Sequence, residues 1–450
     1  MEWLILGAFS AALLLCIITG RSILIALAFG LLLFLLYGRR KGYSWRALGG
    51  MALSGIRTVS NILITFFLIG VLTAFWRAAG TIPMIVCYAS AWIKPSIFLL
   101  MTFLLNGLMS TLTGTSFGTS ATMGVICATM GNAMGVSPVL TGGAVLSGAF
   151  VGDRCSPVST SALLVSAVTG TDIYRNIRNM LRSALVPFLA SCAVYLVIGF
   201  RPSGAGDMID LNALFSKQFS LHWSALLPAV VILTLSLCRV NVKLAMTASI
   251  VTAVPLCLFL QHIPAGELLR AAVLGFWPED AEVAAMVSGG GVLSMCRVAG
   301  IVCLSSSYSE IFRKTGLLDG AKRIISGLAQ RSTAFIATLV TSVVAGMIAC
   351  NQTLTILLVN QLCGDLQGKT HSTSAHSTSG VEIREAFALD LEDSAVVVAP
   401  LIPWSIAGAV PLSAIGAPTG AILASFYLFL LPLWRVAGEK KQKEHSLPLG

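Results

Sequence analysis

"GAFVGDRCSPVSTSALL", residues 148–164, puts an aspartate, an arginine, a proline and four hydroxyls into a chain that is otherwise strongly apolar. Pro157 has no N–H, so the carbonyl four residues back, that of Asp153, loses its helical donor. Open backbone at membrane depth is tolerated only where it is buried in protein or lines a cavity. If the stretch is helical, Asp153, Ser156 and Thr160 share one face, because they are spaced i, i+3, i+7. With Ser159 they form a set of hard oxygens suited to a small cation. The competing reading puts Asp153 and Arg154 at a helix end, at the membrane surface.

The rest of the chain supplies the membrane context. Of its 450 residues, 56% are hydrophobic and only 11% charged, and the mean hydropathy is +0.87. A soluble globular protein carries about 25% charged residues. Apolar runs near the ~20 residues needed for a span recur from "WLILGAFSAALLLCIITG" (3–20) to "AILASFYLFLLPLW" (421–434). The first run has no basic segment before it and a second span directly after it, so it reads as a retained helix. The fold class is an all-α polytopic membrane protein, one transmembrane domain over 1–450, with about 10–12 crossings.

The net charge of +10 does not point to nucleic acid, because the basic residues sit in short loops. Arg39, Arg40, Lys41 and Arg46 form one cluster; Arg175, Arg178 and Arg182 a second; and Arg313, Lys314, Lys322, Arg323 and Arg331 a third. The loop with Glu267, Glu279, Asp280 and Glu282 is acidic instead. The positive-inside rule then places both termini in the cytoplasm, with 39–58 a cytoplasmic loop and 437–450 a cytoplasmic basic tail. Segment 364–380 is Ser/Thr/Gly-rich and reads as a flexible loop. Its "GDLQGKT" is not a phosphate-binding loop: only three residues separate the glycines and no strand precedes it. The eleven cysteines are scattered singly, which indicates packing residues rather than a disulfide framework or metal site.

Two regions are polar within apolar surroundings. "TLTGTSFGTSATMG" (111–124) precedes the opening stretch, and "ACNQTLTILL" (349–358) precedes "ALDLEDSAVVVAPLIPWSIAGA" (388–409). A shift of 238 lays Thr115 on Thr353 and Ser156 on Ser394, and such paired interrupted segments point to a transporter site between repeats. Thr115, Ser116 and Thr119 read as ion ligands on a broken helix, or as small-residue helix packing. Asp390, Glu392, Asp393 and Ser394 read as an N-terminal helix cap, or as acids pointing into the bundle. Arg297, in an apolar segment, is a boundary arginine or a group that binds a substrate carboxylate.

These segments reach a family. "AFWRAAGTIPMIVCYA" (74–89), "GTSFGTSATMG" (114–124), "GAVLSGAFVGDRCSP" (143–157), "SGGGVLSM" (288–295) and "LEDSAVVVAPLIPWSIAGA" (391–409), in this order, resemble the NhaC-type sodium/proton antiporters along nearly the whole chain. The resemblance implies broken or re-entrant helices in two inverted repeats, and coupled antiport with some relatives exchanging organic acids or amino acids. The family pattern continues Ser-Asp-Thr where this chain has Ser159-Thr160-Ser161, and it carries an uncharged residue where Arg297 stands. Both departures favour an anionic or zwitterionic organic substrate as the alternative to sodium.

The resulting expectation is alternating access at the plasma membrane. Cation and proton compete for Asp153 and one acid of the 390–393 cluster, Glu392 and Asp393 among them, since a bound cation favours the ionised form. Ser156, Ser159, Thr160, Thr115, Ser116 and Ser394 supply neutral oxygens, and Arg297 and Thr353 meet substrate. No cofactor is expected beyond sodium as coupling ion. Expected partners are lipids, a small cation, a proton or a small organic substrate, with a homodimer allowed and no nucleic acid. An ion channel is the rival class. An enzyme is not expected, because the five histidines lie in loops, at span edges or in the tail.

Overall fold

A computed structural model describes residues 2–19, 21–92, 94–200, 211–238, 240–315, 333–371 and 380–445. Among them the regular structure is helical, apart from one isolated bridge between Phe276 and Gly289. Four helices are singly long and apolar enough to cross a membrane: Ile23–Arg40, Pro95–Thr113, Ile173–Gly199 and Val242–Leu260. Two bent pairs add two more, and shorter apolar helices such as Thr160–Thr169 and Ala334–Ala349 lie beside them. Much of the apolar sequence is therefore broken helix, as glycine, proline and hydroxyl residues inside apolar runs require.

Three segments depart from the expected boundaries. Of the loop expected at 39–58, Trp45–Thr58 is helix, started by Ser44, whose hydroxyl accepts from the Ala47 amide at 3.2 Å. That helix packs against Val292–Thr315, where Gly55 lies against the Ser306 backbone. Helix Gln352–His371 runs into the segment expected as a flexible loop, and 372–379 lie outside the described residues. The basic tail is helical as far as His445, with 446–450 outside the described residues.

The centre is built from two pairs of broken helices. In the first, Pro95–Thr113 stops at Gly114, which adopts φ 66°. That left-handed turn is cheap only for glycine. Thr115 restarts the chain by accepting the Gly118 amide at 3.3 Å, and Ser116–Thr119, a π turn (Ser120–Gly124) and Val125–Ala133 follow. Its partner, Pro138–Cys155, stops at extended Ser156 and resumes as Thr160–Thr169. A Cβ on Gly114 would lie 2.7 Å from the Val158 carbonyl carbon, so the two breaks touch. Ser156 also donates to the Thr111 carbonyl at 2.7 Å, closing an open helix end.

The second pair repeats this logic. Ala334–Ala349 stops at Cys350 (φ 55°), and Gln352–His371 begins behind Asn351, whose side chain accepts from the Thr353 amide at 2.9 Å. Gly380–Leu391 continues through a π turn, Glu392–Val396, and bends by 56° into Ile406–Ala414. The Ile406 amide donates to the Cys350 carbonyl at 2.9 Å, so these two breaks touch as well.

The two helices of the first pair cross at backbone contact. A Cβ on Gly152 would sit 2.0 Å from the Thr111 nitrogen and 2.1 Å from the Ser110 carbonyl carbon. Backbone cannot step aside as a side chain can, so Gly152→Ala is expected to cost about 1–3 kcal/mol or more. Thermal unfolding in detergent checks this; a melting temperature equal to wild type would refute the crossing.

Candidate functional site

Asp153 stands at the joint of the first pair, 4% exposed. Its carbonyl, which Pro157 leaves without a helical donor, accepts from the Ser159 hydroxyl and from the Ser161 hydroxyl at 2.7 Å. Its carboxylate is held by three elements. Ser161 Oγ lies 3.2 Å from Oδ2, Gln352 Nε2 donates to Oδ2 at 3.2 Å, and the Ser116 backbone faces the same carboxylate. Gln352 also donates to the Val396 carbonyl at 3.2 Å. This acceptor fixes the amide orientation, since the flipped side chain would set oxygen against oxygen. One carboxylate thus ties together the restart of the first broken helix, the break of the second, the start of Gln352–His371 and the π turn of the fourth.

A second set of charges lies behind it. Arg154 is fully buried and turns away from its neighbour Asp153. It pairs with Asp393 and donates to Ser183 at 2.8 Å and to the Met180 carbonyl at 3.1 Å. Arg435 pairs with Asp390 at 2.5 Å and reaches Asp393 at 3.1 Å. Buried charges persist only when paired and hydrogen-bonded, and Asp390 and Asp393 meet that condition. Glu392, also fully buried, does not: neither carboxylate oxygen has a hydrogen-bond partner among the described residues.

The expected site residues divide accordingly. Asp153, Ser159 and Ser116 meet at one place, and Thr115 caps the helix that brings Ser116 there. Ser156 is adjacent, with its hydroxyl on Thr111. Ser394 is buried and donates to the Asp390 carbonyl at 2.6 Å, a bond from the π turn back to the helix before it. The shared helical face of Asp153, Ser156 and Thr160 is not formed, because the helix ends at Cys155. Thr160 is exposed, and Ser161 takes the place expected for it. Thr353 is exposed and offers its amide to Asn351; the local counterpart of Thr115 is that asparagine cap. Arg297 is exposed near the start of Val292–Thr315 and forms no ion pair among the described residues, as a boundary arginine would.

Sequence reasoning missed Ser161, Gln352 and the arginine pair. Ser161 lies inside the quoted motif, and Gln352 is in the polar stretch before the second acidic element. Arg435 lies just before the basic tail and follows an apolar run without a break.

Comparison with known proteins gives this arrangement a setting. The sequence profile of the Na+/H+ antiporter family matches residues 2–171 and 163–433. The chain is 27% identical to the Na(+)/H(+) antiporter NhaC of Alkalihalophilus pseudofirmus, over 93% of this chain and 90% of that protein. It is 26% identical to the Malate-2H(+)/Na(+)-lactate antiporter of Bacillus subtilis, over 94% and 90%. It is also 26% identical to the arginine/ornithine antiporter ArcD of Halobacterium salinarum, over 87% and 80%. The chain belongs to the Na+/H+ antiporter family and is a multi-pass membrane protein, a secondary transporter of the NhaC type.

Proposed function

We propose that this transporter exchanges a sodium-sized cation for protons at Asp153. The carrying observation is the position of that carboxylate, where both pairs of broken helices meet. Asp153, Ser159 and Ser161 present only hard oxygens, which suit an alkali cation rather than a soft metal. A cation there and a proton on Asp153 satisfy the same negative charge, so binding one releases the other. The two pairs of broken helices act as inverted repeats, and rocking about their joint opens the carboxylate to each side in turn. Gln352, bonded to both pairs, transmits the state of Asp153 to the π turn.

Purified protein in liposomes containing a pH-sensitive dye tests this reading. Sodium added outside should drive protons out. The same vesicles offered malate, lactate and amino acids test organic exchange, which the names of two relatives support. Proton movement driven by an organic acid and not by sodium would replace the cation reading.

The site sits in a plasma membrane with both termini inside. A single cysteine at Arg40 or Arg178 should stay unlabelled by an impermeant maleimide added to intact cells, because both lie in basic clusters. Strong outside labelling at either would reverse the orientation.

A further inference from the structure

Glu392 has no part in the exchange derived for Asp153, and its surroundings are unusual. It is fully buried, and both of its oxygens lack a hydrogen-bond donor among the described residues. The charges facing it are Asp153 and Arg154 from Pro138–Cys155 and Asp393 from its own turn. Behind these stand Arg435, Glu439 and Tyr427 of Phe426–His445, and Cys155. Both guanidiniums are engaged already, Arg154 by Asp393 and Arg435 by Asp390 and Asp393. Four fully or nearly fully buried carboxylates thus share two cations in this core, with part-buried Glu439 at its edge, and the two of the four without an arginine are Asp153 and Glu392.

The Asp153 carboxylate has donors in Gln352 and Ser161 and can hold a negative charge. Glu392 has none, and an ionised carboxylate without donors is not sustained in such a place. It therefore carries a proton in this conformation. Glu392 opens a π turn, a local widening that often marks functional helices and gives the segment an alternative register.

We propose that Glu392 is a second proton carrier, distinct from the Asp153 cradle, and that each cycle exchanges two protons for one monovalent cation. This rests on the cation/proton reading of Asp153. When the site opens to water, the Glu392 O–H bond breaks and the proton passes to solvent, leaving the carboxylate. A cation on Asp153 favours that loss, because it is a positive charge within Coulombic reach of Glu392. In the return step both carboxylates are protonated and neutral. The loaded states differ by one net charge, so the exchange is electrogenic.

The test is the balance point in proteoliposomes with the voltage clamped at zero by potassium and valinomycin. A sodium gradient is fixed, and the pH gradient that stops net proton flux is found. On a logarithmic scale, wild type should balance at a pH gradient half the sodium gradient, and Glu392→Gln at one equal to it. Glu392→Asp, which keeps the acid, should balance at half, and it supports the proposal if Glu392→Gln gives no flux. Wild type balancing at equal gradients, or Glu392→Gln balancing at half, overturns the proposal and leaves antiport intact. No sodium-driven flux in wild type overturns the Asp153 reading and this inference together.

Discussion

Asp153→Asn should reduce sodium-driven proton movement to the level of protein-free vesicles while the protein still folds. The amide fits the same space and can keep its oxygen toward Gln352 and Ser161, both of which donate to Oδ2 in the wild type. What it loses is charge. A neutral amide neither releases a proton nor draws a desolvated cation to take its place. The measurement is dye-reported proton flux at matched reconstitution, beside size-exclusion profiles of both proteins. Wild-type flux from the variant would move the exchange away from Asp153.

Arg154→Gln should instead destroy the fold. Its guanidinium is fully buried and pairs with a fully buried Asp393, with Ser183 and the Met180 carbonyl completing its bonds. Removing one partner of such a pair strands the other charge, at a cost of about 3–5 kcal/mol. Against a typical net stability of about 5–15 kcal/mol, that is a large fraction. Arg435 still reaches Asp393 at 3.1 Å, but it must also serve Asp390. The double variant Arg154→Gln, Asp393→Asn removes both charges and should recover much of the loss, since interacting residues are not additive. Membrane yield and melting temperature in detergent report both. A single variant that melts like wild type would show that Arg154 does not sustain the core.

Much of this site was legible in one sequence, and the exceptions have two causes. Composition fixed the membrane class, because apolar runs with so few charges have no other solvent. Gly114, Pro157 and the hydroxyls around them marked the first pair of broken helices, and the freed Asp153 carbonyl followed from the missing N–H of proline. One hydroxyl of the set expected beside Asp153 is not there. Helical spacing favoured Thr160, but the chain leaves the helix at Ser156 and returns with Ser161 facing inward. Periodicity describes an unbroken helix and fails at the residues that end one. Gln352 and Arg435 were missed for another reason. Their partners lie 199 and 45 residues away in sequence, and no local pattern encodes a contact between helices. Three adjacent acids looked alike as a cluster, yet the arginines neutralise Asp390 and Asp393 and leave Glu392.

The central claim is that cation and proton exclude each other at Asp153. Its most direct measurement is proton release on sodium binding, with purified protein in weakly buffered detergent and a pH indicator, and bound sodium counted in parallel with a radioactive tracer. Sodium should bind and acidify the solution with wild type, and do neither with Asp153→Asn. Sodium bound by wild type with no proton released would contradict the account.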